Sequence, residues 1–201
     1  MIRLEKVINT IISLSKEKIF ANLWIRGQPG KAAAFFSKDG NLINYFPVEY
    51  HYGPKLSPRR GYNLGGGFKV FGNRLFLSLP DKYEILEYTM EGKLLRKIKR
   101  DIKLKPPFLE DGYRFITKDI SGPCYLTSKG FLINKLHIKK EKKDEEIDKT
   151  YLDLFNKKFE FLGSYPLRED IYLTEIDSFD NFYFIQTDPY LKLIKCTMKI
   201  D

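Results

Sequence analysis

The chain has 201 residues, of which 43% are apolar and 15% aromatic, and its formal net charge is +9. This apolar fraction is too high for a disordered chain, and the length suits one substantial core or two small ones. The 16 Phe and 13 Tyr residues favour pleated, half-buried strands over helices. Two cysteines, Cys124 and Cys196, are too few for a disulfide framework, and we expect both to be small buried hydrophobes.

The N-terminal sequence "MIRLEKVINTIISLSKEKIF" contains a short apolar run, "VINTIISL", that is interrupted by Asn9 and Thr10. It has no small-residue cleavage site and is far too short to span a bilayer. The sequence therefore predicts no membrane span. We expect a cytoplasmic location for the chain as given, and an exported or periplasmic one if it is a fragment of a longer precursor.

Four similar units follow one another along the chain, and each consists of about four antiparallel strands. The second unit is the plainest, because "DKYEILEYTMEGKLLRKIKRD" (residues 81–101) alternates apolar and polar residues, turns at "EGK" and alternates again. The units span residues 10–48, 66–101, 123–167 and 170–201.

Four-stranded sheets repeated every 40–50 residues or so are typical of propeller blades. Because one such sheet cannot bury both of its faces, neighbouring sheets must stack. The sequence predicts an all-β, propeller-like fold of about four four-stranded antiparallel blades that form one domain over residues 1–201. An ordinary β-sandwich or barrel is the alternative, since it also contains many short strands.

The fourth unit ends at "CTMKID", where a third strand would end, so its outer strand is missing. Near the start of the chain, "IRLEKVI" (residues 2–8) has the pattern of an outer strand without its own blade. We predict that residues 2–8 either complete the last blade or end a blade that precedes the chain.

The segments "NRLFLSLPDKYEILEYTMEGKLLRKIKR" and "DNFYFIQTDPYLKLIKCTMKI" resemble the C-terminal blades of the bacterial six-bladed β-propeller proteins of the TolB-like and NHL-like group. The resemblance covers residues 66–201 better than residues 1–65. It implies that the four units are an incomplete six-bladed propeller. Such a chain would be a fragment, form a smaller ring, or cover its open blades by self-association or by binding another chain.

Candidate binding residues lie in the long loop "PVEYHYGPKLSPRR", which would be at the rim of a propeller. They are Tyr50, His51, Tyr52, Arg59 and Arg60. The other histidine, His137, is expected on a strand near the surface. Neither histidine has metal-ligand or catalytic partners nearby in sequence, so the sequence indicates no catalytic residue and no metal ligand set.

Some six-bladed propellers are hydrolases with a divalent cation on the axis. Carboxylates of the last unit could supply oxygen ligands for such a cation, although turn formation explains them equally well; they are Glu175, Asp177, Asp180 and Asp188. No cofactor is otherwise indicated.

Two charged segments are relevant to whether the chain binds nucleic acid. "KKEKKDEEIDK" (residues 139–149) is interpreted as a solvated hairpin loop. The basic residues of "RKIKR" (96–100) are interpreted as protection of an outer edge strand, which argues against a nucleic-acid partner.

The leading hypothesis is a non-enzymatic ligand- or protein-binding or scaffold module that uses rim loops. The alternative is a metal-assisted hydrolase or lyase with an axial site.

Overall fold

The computed structural model describes residues 11–14, 18–22, 33–46, 68–79, 82–105, 108–110, 114–116, 119–142 and 145–197. Within these ranges the chain forms antiparallel β-strands and no helix. It follows that these ranges contain no helix long and apolar enough to cross a membrane.

Sheets 1 and 2 are four-stranded meanders in which each strand pairs with the next one in sequence. Sheet 1 consists of β1 (Ile11–Leu14), β2 (Lys18–Asn22), β3 (Ala33–Ser37) and β4 (Leu42–Phe46). Sheet 2 consists of β5 (Phe68–Phe71), β6 (Arg74–Leu79), β7 (Glu84–Thr89) and β8 (Leu94–Lys99). The turn between β7 and β8 contains Gly92 at φ 88°, a conformation that glycine adopts without steric cost.

A small hairpin of β9 (Phe108–Glu110) and β10 (Arg114–Ile116) precedes sheet 3. Sheet 3 consists of β11 (Ile120–Leu126), β12 (Leu132–Lys142), β13 (Glu145–Phe155) and β14 (Phe161–Leu167). Sheet 4 has three described strands, β15 (Ile171–Ile176), β16 (Asn181–Gln186) and β17 (Lys192–Thr197).

Alternation along the strands builds a separate core between each pair of consecutive sheets. Sheets 1 and 2 meet where Phe35 packs with Leu77 and its neighbours. Sheets 2 and 3 meet around Phe76 and Phe155. Sheets 3 and 4 meet around residues such as Ile133 and Phe182.

The first strands of consecutive sheets are also neighbours. β5 contacts β1 and β11, and β11 in turn contacts β15. Face-to-face stacking combined with adjacent first strands is the arrangement expected of propeller blades. The predicted all-β fold of about four antiparallel sheets is confirmed, while the division into one domain with these blades stays a prediction.

The structure corrects two interpretations of the sequence. The charge run at 139–149 is not a loop: β12 and β13 pair continuously from Leu132↔Phe155 to Lys142↔Glu145, so most of the run lies in a two-stranded ribbon. Lys and Glu are only weakly disfavoured in strands, and the backbone hydrogen bonds of the paired strands compensate for this in the ribbon. Cys124 is buried as expected, but Cys196 is exposed on β17.

Among the described residues, the last unit has no outer strand, since no described strand follows β17 in sheet 4. The predicted closing segment, residues 2–8, lies outside the described residues.

Candidate functional site

A cavity of about 420 Å³ lies where the first strands of sheets 2, 3 and 4 end. Its walls come from residues 70–72, 126–128 and 176–178. Each of these ranges contains the last residues of a first strand and the start of the turn that follows it. We call this cavity the axial pocket, because three adjacent first strands converge on it.

Each first strand gives the axial pocket one aliphatic side chain, from Val70, Leu126 and Ile176. The turns add polar groups, among them Thr127 and Asp177. An apolar wall with a few polar groups at one side is the usual composition of a small-ligand site.

Asp177 is held by its own turn. Its Oδ1 accepts hydrogen bonds from the backbone N–H groups of Phe179 and Asn181, both at 2.9 Å. Its Oδ2 accepts from Asn181 Nδ2 at 2.8 Å and from the Tyr183 hydroxyl at 3.0 Å. These bonds, with the Asn181 side chain contributing most, lower the pKa of Asp177 to about 2.

A second carboxylate joins two of the turns. Asp180, which has φ 60°, accepts hydrogen bonds from the backbone N–H of Ser128 at 2.5 Å and from its hydroxyl at 2.7 Å. Because Ser128 belongs to sheet 3 and Asp180 to sheet 4, these bonds fix the two turns relative to each other. The side of the pocket formed by these turns is therefore organised without a ligand.

An ion pair crosses the first strands next to the pocket. Lys69 Nζ on β5 lies 2.6 Å and 2.5 Å from the two carboxylate oxygens of Glu175 on β15. The same ammonium group lies 5.5 Å from the ring centre of Tyr125 on β11, the strand between them. Tyr125 in turn donates a hydrogen bond to the carbonyl oxygen of Thr174 at 3.3 Å. Residues 106 positions apart are thus linked through the middle sheet.

A separate polar network lies between sheets 2 and 3. Asp153, which is fully buried, accepts hydrogen bonds from the Tyr83 hydroxyl and from Arg100 Nη1, both at 2.6 Å. Ser164 also donates to Asp153 and accepts from Arg100 at 2.9 Å. Burial, followed by the Asp153 charge, raises the pKa of Tyr83 far above its ordinary value, so the phenol remains a donor.

Asp153 belongs to a row of residues that cross sheet 3 in register. Cys124 is opposite Asn134, Asn134 is opposite Asp153, and Asp153 is opposite Ser164. Asn134 also bonds to the hydroxyl groups of Ser78 and Ser121. Because every acceptor and donor named here is satisfied within the protein, we assign this network to the joining of the two sheets rather than to ligand binding.

Arg96 on the outer strand of sheet 2 and Arg100 directly after that strand bind buried carboxylates, contrary to their interpretation as edge protection. Arg100 binds Asp153, and Arg96 Nε lies 2.8 Å from Oε2 of the fully buried Glu87. Glu87 Oε2 has no hydrogen-bond partner, so its contact with Arg96 is an ion pair whose geometry is not that of a hydrogen bond. Lys97 and Lys99 have largely exposed side chains, at 53% and 64%, as edge protection requires.

The predicted rim-loop residues lie outside the described residues; they are Tyr50, His51, Tyr52, Arg59 and Arg60. His137 lies half-buried on β12, with its Nδ1 3.3 Å from the Thr150 hydroxyl. Burial lowers the pKa of His137.

The carboxylates considered as cation ligands do not converge. Glu175 is paired with Lys69, Asp177 is bound by its turn, Asp180 by Ser128, and Asp188 is exposed. Over the described ranges no three His, Cys, Asp or Glu side chains are grouped so that they could hold a metal ion.

No family model matches the chain, and no curated protein matches it. Among solved structures, the chain is similar to a member of the DUF4221 family from Bacteroides vulgatus ATCC 8482, with a TM-score of 0.58 and 8% sequence identity. The likeness shows the fold alone. It covers 92% of this chain and 63% of the DUF4221 chain, so this chain spans less than two thirds of that protein. It supports an all-β, multi-sheet architecture.

Proposed function

We propose that the chain is a non-enzymatic binding module that takes a small molecule or a peptide segment in the axial pocket. The observation that carries this proposal is the convergence of three sheets on one cavity of about 420 Å³. Cavities of this size accommodate small ligands, and they commonly form where several structural elements meet.

The order of the turns around the pocket supports binding. The turn of Asp177 is fixed by its own hydrogen bonds, and the turn of Ser128 is fixed by Asp180, which does not itself line the pocket. A pre-organised site loses little conformational entropy when a ligand enters. The aliphatic wall, which includes Leu126 and Ile176, favours a ligand with an apolar body and a polar end.

The TolB-like and NHL-like resemblance is part of this proposal. In the proposed assignment, sheets 1 to 4 are blades of a six-bladed type of propeller, and ligands are taken at the ends of the strands. The rim-loop residues 50–60 remain a second proposed contact region. They precede β5, whereas residues 70–72 of the axial pocket lie at its end, so the two regions can be tested separately.

The pocket is tested by filling it. Ser178 lies in an exposed turn and lines the pocket, so Ser178→Trp should block the cavity without disturbing a core. Lys129→Trp is the matched control, because Lys129 is also exposed in a first-to-second-strand turn but does not line the pocket. The measurement is the binding of a library of fluorinated fragments, detected by ligand-observed NMR.

We expect the unmodified chain and Lys129→Trp to bind a common set of fragments that Ser178→Trp no longer binds. A fragment set that is unchanged by Ser178→Trp would refute the axial pocket as the binding site. The same comparison with Arg59→Ala and Arg60→Ala tests the rim loop independently.

A further inference from the structure

Three basic side chains form a row on one face of strand β12. They are Lys135, His137 and Lys139, and they alternate along the strand with Leu136 and Ile138. Leu136 and Ile138 pack into the core between sheets 2 and 3. Because successive side chains of a strand point to opposite faces, the three basic residues lie on the face that sheet 3 turns towards sheet 4. We call them the basic row.

The basic row lies beside the core between sheets 3 and 4. Lys135 is opposite Leu152 of β13, which packs in that core, and His137 is opposite Thr150. All three basic side chains are half-buried, and those of His137 and Lys139 are 27% and 28% exposed. The row is therefore partly enclosed, unlike a charged face that is fully solvated.

Lys135 has no carboxylate partner among the described residues. Its ammonium group lies 5.5 Å from the ring centre of Tyr172 on β15. An aromatic ring attracts a cation but does not neutralise its charge. Burial lowers the pKa of Lys135, and no carboxylate opposes this shift. The fold thus holds a half-buried cation without a counter-ion.

The carboxylates near the rest of the row are already in use. Asp148 Oδ1 lies 3.8 Å from both His137 Nε2 and Lys139 Nζ, so two basic groups share it. The two oxygens of Asp119 accept hydrogen bonds from backbone N–H groups. Burial is the largest cause that lowers the pKa of His137, and the charges of Lys139 and Lys135 lower it further, while Asp148 and Asp119 oppose them.

We propose that the basic row binds the phosphate group of a small molecule, with Lys135 as the main positive contact and His137 as a second hydrogen-bond donor. A phosphate group carries a charge of about −1.5 to −2 at neutral pH and has three strong acceptor oxygens, so it can accept from both side chains at once. A lysine ammonium group suits this role, because it is a compact charge with three donors.

The burial of the row favours a small ligand over a nucleic acid. Single-stranded nucleic acids bind in exposed basic grooves that follow their backbone, whereas one phosphate group can reach a half-buried ammonium. Exposed aromatic side chains lie near the row and can contact the body of such a ligand. Tyr172 is 41% exposed, and Tyr165, which is opposite Leu152 on β14, is 52% exposed.

The basic row and the axial pocket are at opposite ends of the strands. His137 is opposite Ile120, the first residue of β11, whereas Leu126, the last residue of β11, lines the axial pocket. At about 3.3 Å per residue, these two ends of β11 are about 20 Å apart. The phosphate site is therefore separate from the proposed ligand site in the axial pocket.

A titration with inorganic phosphate at constant ionic strength tests the proposal. The measurement is the NMR signal of the His137 ring, which is assigned with His137→Gln. Lys135→Met removes the charge and keeps a long side chain, and its thermal melting in phosphate-free buffer verifies that it is folded. Lys97→Met is the matched control, because Lys97 is also a strand lysine, with a side chain that is 53% exposed, but belongs to sheet 2.

We expect phosphate to shift the His137 signal and to raise the pKa of His137, since a bound anion favours the protonated ring. Lys135→Met should weaken phosphate binding about tenfold, as expected for the loss of a charged hydrogen bond, and Lys97→Met should leave it unchanged. Equal phosphate affinities for these two variants, or a His137 signal that does not respond to phosphate, would overturn the proposal.

Two further measurements separate this site from other modes of binding. Phenyl phosphate should bind more tightly than a single-stranded oligonucleotide, and the reverse order would overturn the assignment to a small molecule. Ser178→Trp, which fills the axial pocket, should leave phosphate binding unchanged. A loss of phosphate binding in that variant would assign the anion to the axial pocket and overturn the proposal.

Discussion

The two interfaces made by sheet 3 are built from different interactions. Towards sheet 2, a fully buried Asp153 is bonded by Tyr83 and Arg100 in the midst of the apolar cluster around Phe76 and Phe155. Towards sheet 4, the contact is made chiefly by aliphatic and aromatic side chains such as Ile133, Leu173 and Phe182.

The difference matters because hydrogen bonds are directional and apolar contacts are not. The polar network specifies one relative position of sheets 2 and 3, since a shift of one residue would take Tyr83 and Arg100 away from the buried Asp153. The apolar interface tolerates small sliding between sheets 3 and 4. Its position is set at one edge by the bonds of Ser128 to Asp180. The Lys69–Glu175 ion pair, which joins sheets 2 and 4, acts on it only indirectly.

Asp153→Ala tests the polar interface and should have the largest effect. It leaves the buried Tyr83 hydroxyl without its acceptor and Arg100 without its ion-pair partner, and we expect a loss of about 3 kcal/mol in the free energy of unfolding. Urea denaturation measures this loss. Asp148→Ala on the same strand is the control, because the Asp148 side chain is 53% exposed. A loss for Asp153→Ala as small as that for the control would show that the network does not hold the sheets together.

Leu173→Ala tests the apolar interface. Leu173 is 3% exposed, and its truncation should lower the free energy of unfolding by about 2 kcal/mol. The loss should be the same at low and high salt, because no charge is involved. Leu191→Ala, at a position that is 78% exposed, should have almost no effect. A marked salt dependence for Leu173→Ala would contradict the proposed contrast between the interfaces.

The ion pair between β5 and β15 should have a smaller effect. A double-mutant cycle with Lys69→Met and Glu175→Gln should give a coupling energy of about 0.5 kcal/mol, because both side chains are partly exposed. The coupling should decrease as salt is added. A coupling of zero at low salt would mean that the contact does not tie sheets 2 and 4.

Asp177 should show a local effect of pH. Because its pKa is lowered from 3.8 to about 2, the carboxylate favours the folded turn above pH 4. That contribution is lost as the pH falls through about 2. Asn181→Ala removes the largest cause of the shift and should raise the midpoint, which NMR titration of the Asp177 side chain can follow. An unchanged midpoint would show that the Asn181 amide does not hold the carboxylate.

Much of the fold followed from local patterns, while contacts between sheets did not. The hairpin at 81–101 appears as β7 and β8, because alternation and the Gly92 turn act over a few residues. The ribbon of β12 and β13 does not follow from the charge content of residues 139–149, which predicts a loop, because the charged residues continue the pairing of the neighbouring apolar strands.

The candidate site was harder to predict. Lys69 and Glu175 are brought together only by the stacking of three sheets, and no local spacing reveals such a pair. Asp153 did leave a signal in the sequence. In "TYLDLF" it alternates with Tyr151 and Phe155, while Leu152 and Leu154 occupy the other face. A strand that is apolar on both faces must bury any carboxylate within it, and that carboxylate then needs a partner.

The position of sheet 3 between two cores has a consequence for local opening of the protein. Leu132 and Leu136 of β12 pack against sheet 2, and Ile133 packs against sheet 4. If either of these sheets detaches, the other still covers β12. In native-state hydrogen exchange, the amides at the centre of β12 should therefore exchange only through global unfolding. The amide hydrogens of the exposed strand β17 should exchange much faster than those of β12, through local opening. We therefore expect unfolding to begin in sheet 4.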